Sequence, residues 1–310
     1  MHNMIWVIGC NGMLGTQLCR ALKENDLDFV GTDRNVDMTS FDSLSSFAEK
    51  ESSGEKKISA IVNCAAYTAV DKAESEPDFA QKLNAEGPKN IASLAKKLSV
   101  PLIHISTDYV FDGTGSTPRS EDDAIAPLGV YGVTKADGEK AVMGETDAFY
   151  ILRTAWLYGW DGKNFVYTMI RAMNSRESVK VVSDQRGTPT FCGTLSSVII
   201  QILRRAVDFG SHDGEKPAPI PYGIYHVTDE GETTWFDFTR EIKTQAEKCG
   251  LLTNTACKVN ACTSEEYPTP AKRPAYSVLS KQKIQDALGF KLPQWQESLT
   301  EFLQSPLCKL

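Results

Sequence analysis

The sequence predicts an α/β fold, a doubly wound parallel sheet carrying a smaller α/β lobe. Three observations predict it. An apolar run at 4–8 leads into Gly9-Cys10-Asn11-Gly12-Met13-Leu14-Gly15, after which Leu14, Leu18, Ala21 and Leu22 recur at helical spacing. Apolar stretches at 29–32, 58–63, 100–106 and 149–153 then alternate with amphipathic ones, the pattern of parallel strands joined by right-handed crossovers. Beyond residue 155 that regularity weakens. A Rossmann-type cofactor domain is therefore expected over 1–155 plus about 181–222, and a substrate-binding lobe over about 156–180 plus 223–310.

Strand, glycine turn, helix is the context that gives the first stretch meaning. Gly9, Gly12 and Gly15 permit a tight turn and close backbone approach, with Asn11, Met13 and Leu14 between them. The helix that follows turns free N–H groups toward a pyrophosphate. The second strand ends at Asp33-Arg34. An acidic residue about twenty positions after the glycines suits the ribose hydroxyl of NAD, and an arginine suits the 2′-phosphate of NADP. With both adjacent, the cofactor is NADPH or NADH. Asp37-Met38 lies where the chain would pass the adenine, although Asp37 would equally cap a helix from Ser40.

The third strand delivers Cys64-Ala65-Ala66-Tyr67, small residues against which a flat ligand can lie. A helix is expected over 77–98, with Asn84 in its middle. The fourth strand ends in Thr107-Asp108, and a loop rich in Gly, Pro and acids closes at Pro127. Then comes Tyr131-Gly132-Val133-Thr134-Lys135 at a helix start, where residues four apart share a face. An ammonium beside a phenol favours the phenolate, so Lys135 is expected to lower the Tyr131 pKa toward neutrality. Such a tyrosine can give a proton to a reduced carbonyl, and Thr107 can offer its hydroxyl to the same oxygen.

Farther on, helices are expected over 164–174, 195–209 and 234–249, strands at 179–182 and 223–227, and a polar linker at 211–222. Pro268-Thr269-Pro270-Ala271-Lys272-Arg273-Pro274 cannot be helical. Arg273 there is a candidate for a diphosphate, since arginine grips phosphate oxygens bidentately.

Composition narrows the partners. A net charge of −7 and a pI near 5.3 argue against nucleic acid and anionic membranes. No run is long and apolar enough to span a bilayer. The eight cysteines and four histidines form no ligand pattern, so no metal site is expected. With no basic segment ahead of a long apolar run, a cytoplasmic location is expected.

These motifs together resemble the extended short-chain dehydrogenase/reductases. Within them the chain is similar to the dTDP-4-dehydrorhamnose reductase family, from Gly9 to about Trp295. The resemblance rests on the glycine triplet, Ala65-Ala66-Tyr67-Thr68-Ala69-Val70-Asp71-Lys72-Ala73-Glu74, Ser106-Thr107-Asp108-Tyr109-Val110-Phe111 and Tyr131–Lys135. To these are added Arg153-Thr154-Ala155-Trp156, Asp184-Gln185, Gly187, Pro189-Thr190 and the proline-rich 268–274.

It implies a triad of Thr107, Tyr131 and Lys135 that reduces the C4 carbonyl of a dTDP-linked keto-deoxysugar. Val70, Tyr109 and Trp156 would flank the sugar. Trp156 could instead be a core tryptophan, and Arg273 simply exposed. Magnesium-bridging glutamates described for some family members correspond to Gln17, Thr194 and Gln296, which implies a monomer or a dimer not bridged by magnesium. Two alternatives remain open: a reductase of another nucleotide-linked 4-keto-deoxyhexose, and a non-catalytic NADP-binding regulatory subunit like that of methionine adenosyltransferase. A further one is an epimerase of the same superfamily, which would hold NAD tightly.

Overall fold

Five consecutive buried apolar residues, Met4 to Ile8, make β1 (His2–Ile8) a strand covered on both faces. The computed structural model describes residues 2–209 and 218–310. Around β1 lie β2 (Phe29–Thr32), β3 (Lys56–Asn63), β4 (Leu102–Thr107) and β5 (Phe149–Thr154). With the strand Gly223–His226 they form one parallel sheet, in the order Gly223–His226, β5, β4, β3, β1, β2.

Alternation along β1 divides the core. Ile5 and Val7 pack with α1 (Met13–Glu24) and the helix Cys192–Ala206, whereas Met4, Trp6 and Ile8 pack with α2 (Phe41–Glu51). Each such side chain taken out of water contributes about 1.5–3 kcal/mol. Trp6 also needs a partner for its indole N–H, and Nε1 donates to Thr32 Oγ1 at 2.8 Å. Strand order reverses direction between β1 and β3, opening a crevice at their carboxyl ends.

After the short α3 (Val70–Ala73), the helix expected over 77–98 is interrupted. It runs as α4 (Pro77–Gln81), a π-turn Lys82–Glu86 and α5 (Gly87–Leu98). The wide turn carries Asn84 inward, where Oδ1 accepts from Tyr67 N–H and Nδ2 donates to the Tyr67 carbonyl. Helix α6 (Val130–Glu145) packs against it.

The smaller lobe has its own aromatic core of Tyr158, Phe191, Phe238, Trp295 and Phe302. Helices Phe165–Ser175, Trp235–Lys248 and Trp295–Gln304 surround it, and strand Ser178–Val182 pairs with Lys258–Cys262. Two strands fall differently from the expectation. Gly223–His226 belongs to the large sheet, because Tyr225 fills one core layer while Ile224 packs on the other. Ser178–Val182 belongs with the lobe rather than straddling its boundary at 180/181. The linker expected at 211–222 lies outside the described residues as far as 217.

Candidate active site

The chemistry-bearing residues converge at the carboxyl ends of β1, β3, β4 and β5. After β1, Gly9 turns at φ +80, where L side chains are strained, and an added Cβ would lie 2.7 Å from Ala65 N. Glycine therefore lets the β1 and β3 turns touch. Gly12 precedes α1 without a side-chain cap, so the first-turn N–H groups around Met13, Leu14 and Gly15 are not taken by a capping side chain. An uncapped helix N-terminus at the switch point fits a dinucleotide pyrophosphate.

Beside it, Gly9 and Cys10 N–H both donate to the Thr32 carbonyl, which places Asp33 and exposed Arg34 at the same rim. Asp37 is exposed, and Thr39, through its hydroxyl and then its backbone N–H, holds the carboxyl below its ordinary value. Ser40, not Asp37, caps α2. Met38 is buried and packs in the layer beneath α2. Beyond β3, Cys64, Ala65 and Ala66 stay partly exposed, as a ligand-facing surface requires. Tyr67 is otherwise engaged: its hydroxyl donates to Glu76 Oε2 at 2.7 Å and Asn84 holds both of its backbone groups.

Thr107 ends β4 and Tyr131 opens α6. The two elements approach because residue 132 is glycine; a Cβ there would collide with the Tyr109 carbonyl. Tyr109 and Tyr131 consequently meet edge to face, ring centroids 5.5 Å apart. Thr107 Oγ1 donates to Asp108 Oδ1 at 2.9 Å and accepts Tyr109 N–H at 3.2 Å.

The expected effect of Lys135 on Tyr131 is not what the structure has. Burial is the largest influence on the phenol and pushes it up; the Thr107 hydroxyl opposes this, while Asp108 and Tyr109 add to the rise. Lys135 is 2% exposed and its Nζ donates to the Ile105 carbonyl at 2.6 Å, away from any role in that balance. Burial lowers its pKa to about 8, with Glu139 opposing.

On the lobe side, Trp156 follows β5 at φ +48, a conformation rare for a bulky residue. It is not a core tryptophan. Half-buried, it stacks on Trp235 with centroids 3.5 Å apart and planes 8° from parallel, and it lies over Gly187. Nor is Arg273 simply exposed: Nη1 donates to Tyr109 Oη at 3.0 Å and Nη2 to Asp71 Oδ2 at 2.6 Å. Asp71 Oδ1 also accepts Ala271 N–H, so one carboxylate next to Val70 holds the proline-rich segment. Trp235, Asp71 in this role, and Asp108 were not singled out by the sequence. No local pattern in the sequence links Asp71 to Arg273, 202 positions away.

A glycine turn at the switch point, with Thr107, Tyr109 and Tyr131 gathered opposite, defines a nicotinamide-dependent oxidoreductase on a Rossmann-type sheet. The RmlD substrate binding domain family matches residues 3–307, and the chain belongs to that family. It is 40% identical over 304 residues to the dTDP-4-dehydrorhamnose reductase of Shigella flexneri, covering 96% of each chain. It is 39% identical over 301 residues to a Streptomyces antibioticus protein named "Probable dTDP-4,6-dihydroxy-2-methyloxan-3-one 4-ketoreductase", covering 96% of this chain and 94% of that one. The crystal structure of the Bacillus anthracis dTDP-4-dehydrorhamnose reductase in complex with NADP superposes with a TM-score of 0.85 at 33% identity, covering 97% and 99% of the two chains.

Proposed function

We propose that this protein reduces the C4 keto group of dTDP-4-dehydro-L-rhamnose to give dTDP-L-rhamnose, using NADPH or NADH. The observation that carries the reading is the meeting of Thr107, Tyr109 and Tyr131 across the crevice from the glycine turn. When bound, the reduced nicotinamide supplies the hydride for the carbonyl carbon. Tyr131 gives its proton to the oxygen as charge develops there, and Thr107 hydrogen-bonds that oxygen. A phenol held up in pKa by burial stays protonated, which suits an acid. Lys135 serves the ribose.

Gly9, Asn11, Gly12, Met13, Leu14 and Gly15 take the pyrophosphate, Asp33 and Arg34 the adenosine ribose, and Cys64, Ala65 and Ala66 flank the cofactor. Asp37 and Tyr67 contribute through the turns they hold. Val70, Tyr109 and Trp156 flank the sugar, and Arg273 takes its diphosphate. The large sheet is thus the cofactor domain and the smaller lobe the sugar-binding one.

A soluble nucleotide-sugar and a soluble nicotinamide cofactor as substrates suit a cytoplasmic enzyme. No helix among the described residues is long and apolar enough to cross a membrane. Gln17, Thr194 and Gln296 offer no carboxylate, so we assign a monomer or a dimer not bridged by magnesium.

The test is NADPH oxidation with dTDP-4-dehydro-L-rhamnose made enzymatically in the same cuvette, NADH in parallel, and the product identified by NMR. Stoichiometric turnover to dTDP-L-rhamnose is expected. Tight NAD without net consumption would indicate an epimerase, and NADPH binding without turnover a regulatory subunit. The similarity to the Streptomyces ketoreductase favours a second reading, reduction of another dTDP-linked 4-keto-deoxyhexose. Faster turnover of such a sugar would select it.

A further inference from the structure

Thr107 can serve the substrate oxygen only if its hydroxyl proton is free to point there. In the structure it is not. Thr107 Oγ1 gives that proton to Asp108 Oδ1 at 2.9 Å, and one of its lone pairs takes Tyr109 N–H. A serine or threonine hydroxyl has a single proton. The residue that accepts it therefore decides what Thr107 can do.

Asp108 is unusual ground for an ionised carboxylate. It is 3% exposed. Its second oxygen, Oδ2, is buried facing the lobe segment that carries Ser277, whose Oγ is buried too. The ionised form is helped by Thr107 and Ser277, yet burial outweighs them and raises the pKa to about 6. The groups facing it are Thr107 from β4, Tyr109 in its own turn, Tyr131 from α6 and Ser277 from the lobe. Beyond Tyr109 stand Arg273 and Asp71, and Lys135 is turned to Ile105. An ionised Asp108 in turn raises the pKa of both tyrosines.

We propose that Asp108 is a positioning residue that sets the direction of the Thr107 hydroxyl in the reduction. Protonated, Asp108 donates to Thr107 Oγ1 and frees the threonine proton for the substrate oxygen. Ionised, it takes that proton, and Thr107 faces the substrate only as an acceptor. In that state Thr107 competes with the substrate for the Tyr131 proton. No bond to carbon changes in this step; only two O–H directions do. The inference rests on the reductase reading for its kinetic consequence, and on the Thr107–Asp108 contact alone for its structural one.

The test uses Asp108→Asn, whose amide donates to Thr107 at every pH, and Asp108→Leu, which neither donates nor accepts. Wild-type kcat is expected to fall as pH rises from 5.5 to 8. Asp108→Asn loses that fall and exceeds wild type at pH 8, with KM little changed. Asp108→Leu takes no proton from Thr107 but leaves its direction unset, so it also loses the pH-dependent fall, with a kcat below that of Asp108→Asn. An Asp108→Asn enzyme with the wild-type pH profile, or one slower than wild type at pH 8, overturns the proposal.

Infrared difference spectra of the protein alone supply the second arm. A protonated carboxyl band absent from Asp108→Asn should titrate near 6, and Thr107→Val should move its midpoint upward. Asp108 ionised from pH 5 to 8, or a midpoint unmoved by Thr107→Val, overturns the proposal without any substrate. Absence of wild-type turnover at every pH would count against the reductase reading instead, and the infrared arm would still decide this one.

Discussion

Asp71 and Arg273 are 202 residues apart in the chain and 2.6 Å apart in space. The carboxylate binds Arg273 Nη2 with one oxygen and Ala271 N–H with the other, so the segment is seated with its guanidinium beside Tyr109. Both side chains keep solvent contact, so the pair by itself contributes little stability. Its consequence is placement. A guanidinium already held beside Tyr109 loses less entropy when a diphosphate arrives.

Arg273→Ala should raise KM for the nucleotide-sugar about tenfold to a hundredfold, the worth of a hydrogen bond to a charged group. Cofactor Kd should be unchanged. Asp71→Asn should raise KM by less, because Ala271 N–H keeps an acceptor. Steady-state kinetics with titration of NADPH fluorescence separates the two constants, and equal losses in both would remove Arg273 from the substrate site.

Tyr131→Phe removes the proposed acid and leaves the ring against Tyr109. We expect kcat to fall about 10²–10⁴-fold while NADPH binds as before. A kcat within a few-fold of wild type would assign the proton to another group. Lys135→Met should act differently: Nζ stands on the Ile105 carbonyl rather than on the phenol, so the loss expected from its proposed ribose role is in NADPH binding together with kcat.

That contrast shows where the sequence could be read and where it could not. The glycine turn, the strand alternation and the Tyr131–Lys135 spacing are local patterns, written in consecutive residues, and their elements form as expected. Which way Lys135 points is not local. It depends on β4 presenting the Ile105 carbonyl behind it, and on burial that outweighs charge. Asn84 is similar: a helical period continues through it, and the π-turn that carries it inward to both backbone groups of Tyr67 depends on a partner 17 positions earlier. Gly223–His226 was misplaced because a short apolar strand carries no mark of which sheet it joins. Trp235 was silent for the same reason, since its partner lies 79 positions earlier.

Trp156 and Trp235 form one parallel plate, and a stacked pair contributes about 0.5–1.5 kcal/mol beyond burial. Trp156→Ala should weaken sugar binding more than cofactor binding. Trp235→Leu should reproduce part of that loss without touching the substrate, by releasing Trp156 from its φ of +48. Near-ultraviolet circular dichroism reports the stack independently of turnover. If both variants lose sugar and cofactor affinity equally, the plate is structural only.

Asp229 allows a prediction on stability that does not involve the site. It is fully buried, with Oδ2 accepting Phe191 N–H at the start of the helix Cys192–Ala206, and Oδ1 without a partner. Burial raises its pKa from 3.8 to about 7, with nearby Thr194, the Phe191 N–H and Ser298 opposing and Glu301 adding to the rise. Between those values the folded chain keeps a proton that the unfolded chain has released. Stability from this group is therefore complete below about pH 4 and lost as pH rises through about 7. His226 works in the opposite sense, burial lowering it to about 3, so the wild-type profile mixes both. Asp229→Asn isolates one, because its carbonyl still accepts Phe191 N–H. Relative to wild type, the variant should gain at most about 2–3 kcal/mol between pH 5 and pH 8. Urea unfolding of both proteins at those pH values measures the gain, and a difference that stays constant with pH would mean that Asp229 carries no proton in the folded state.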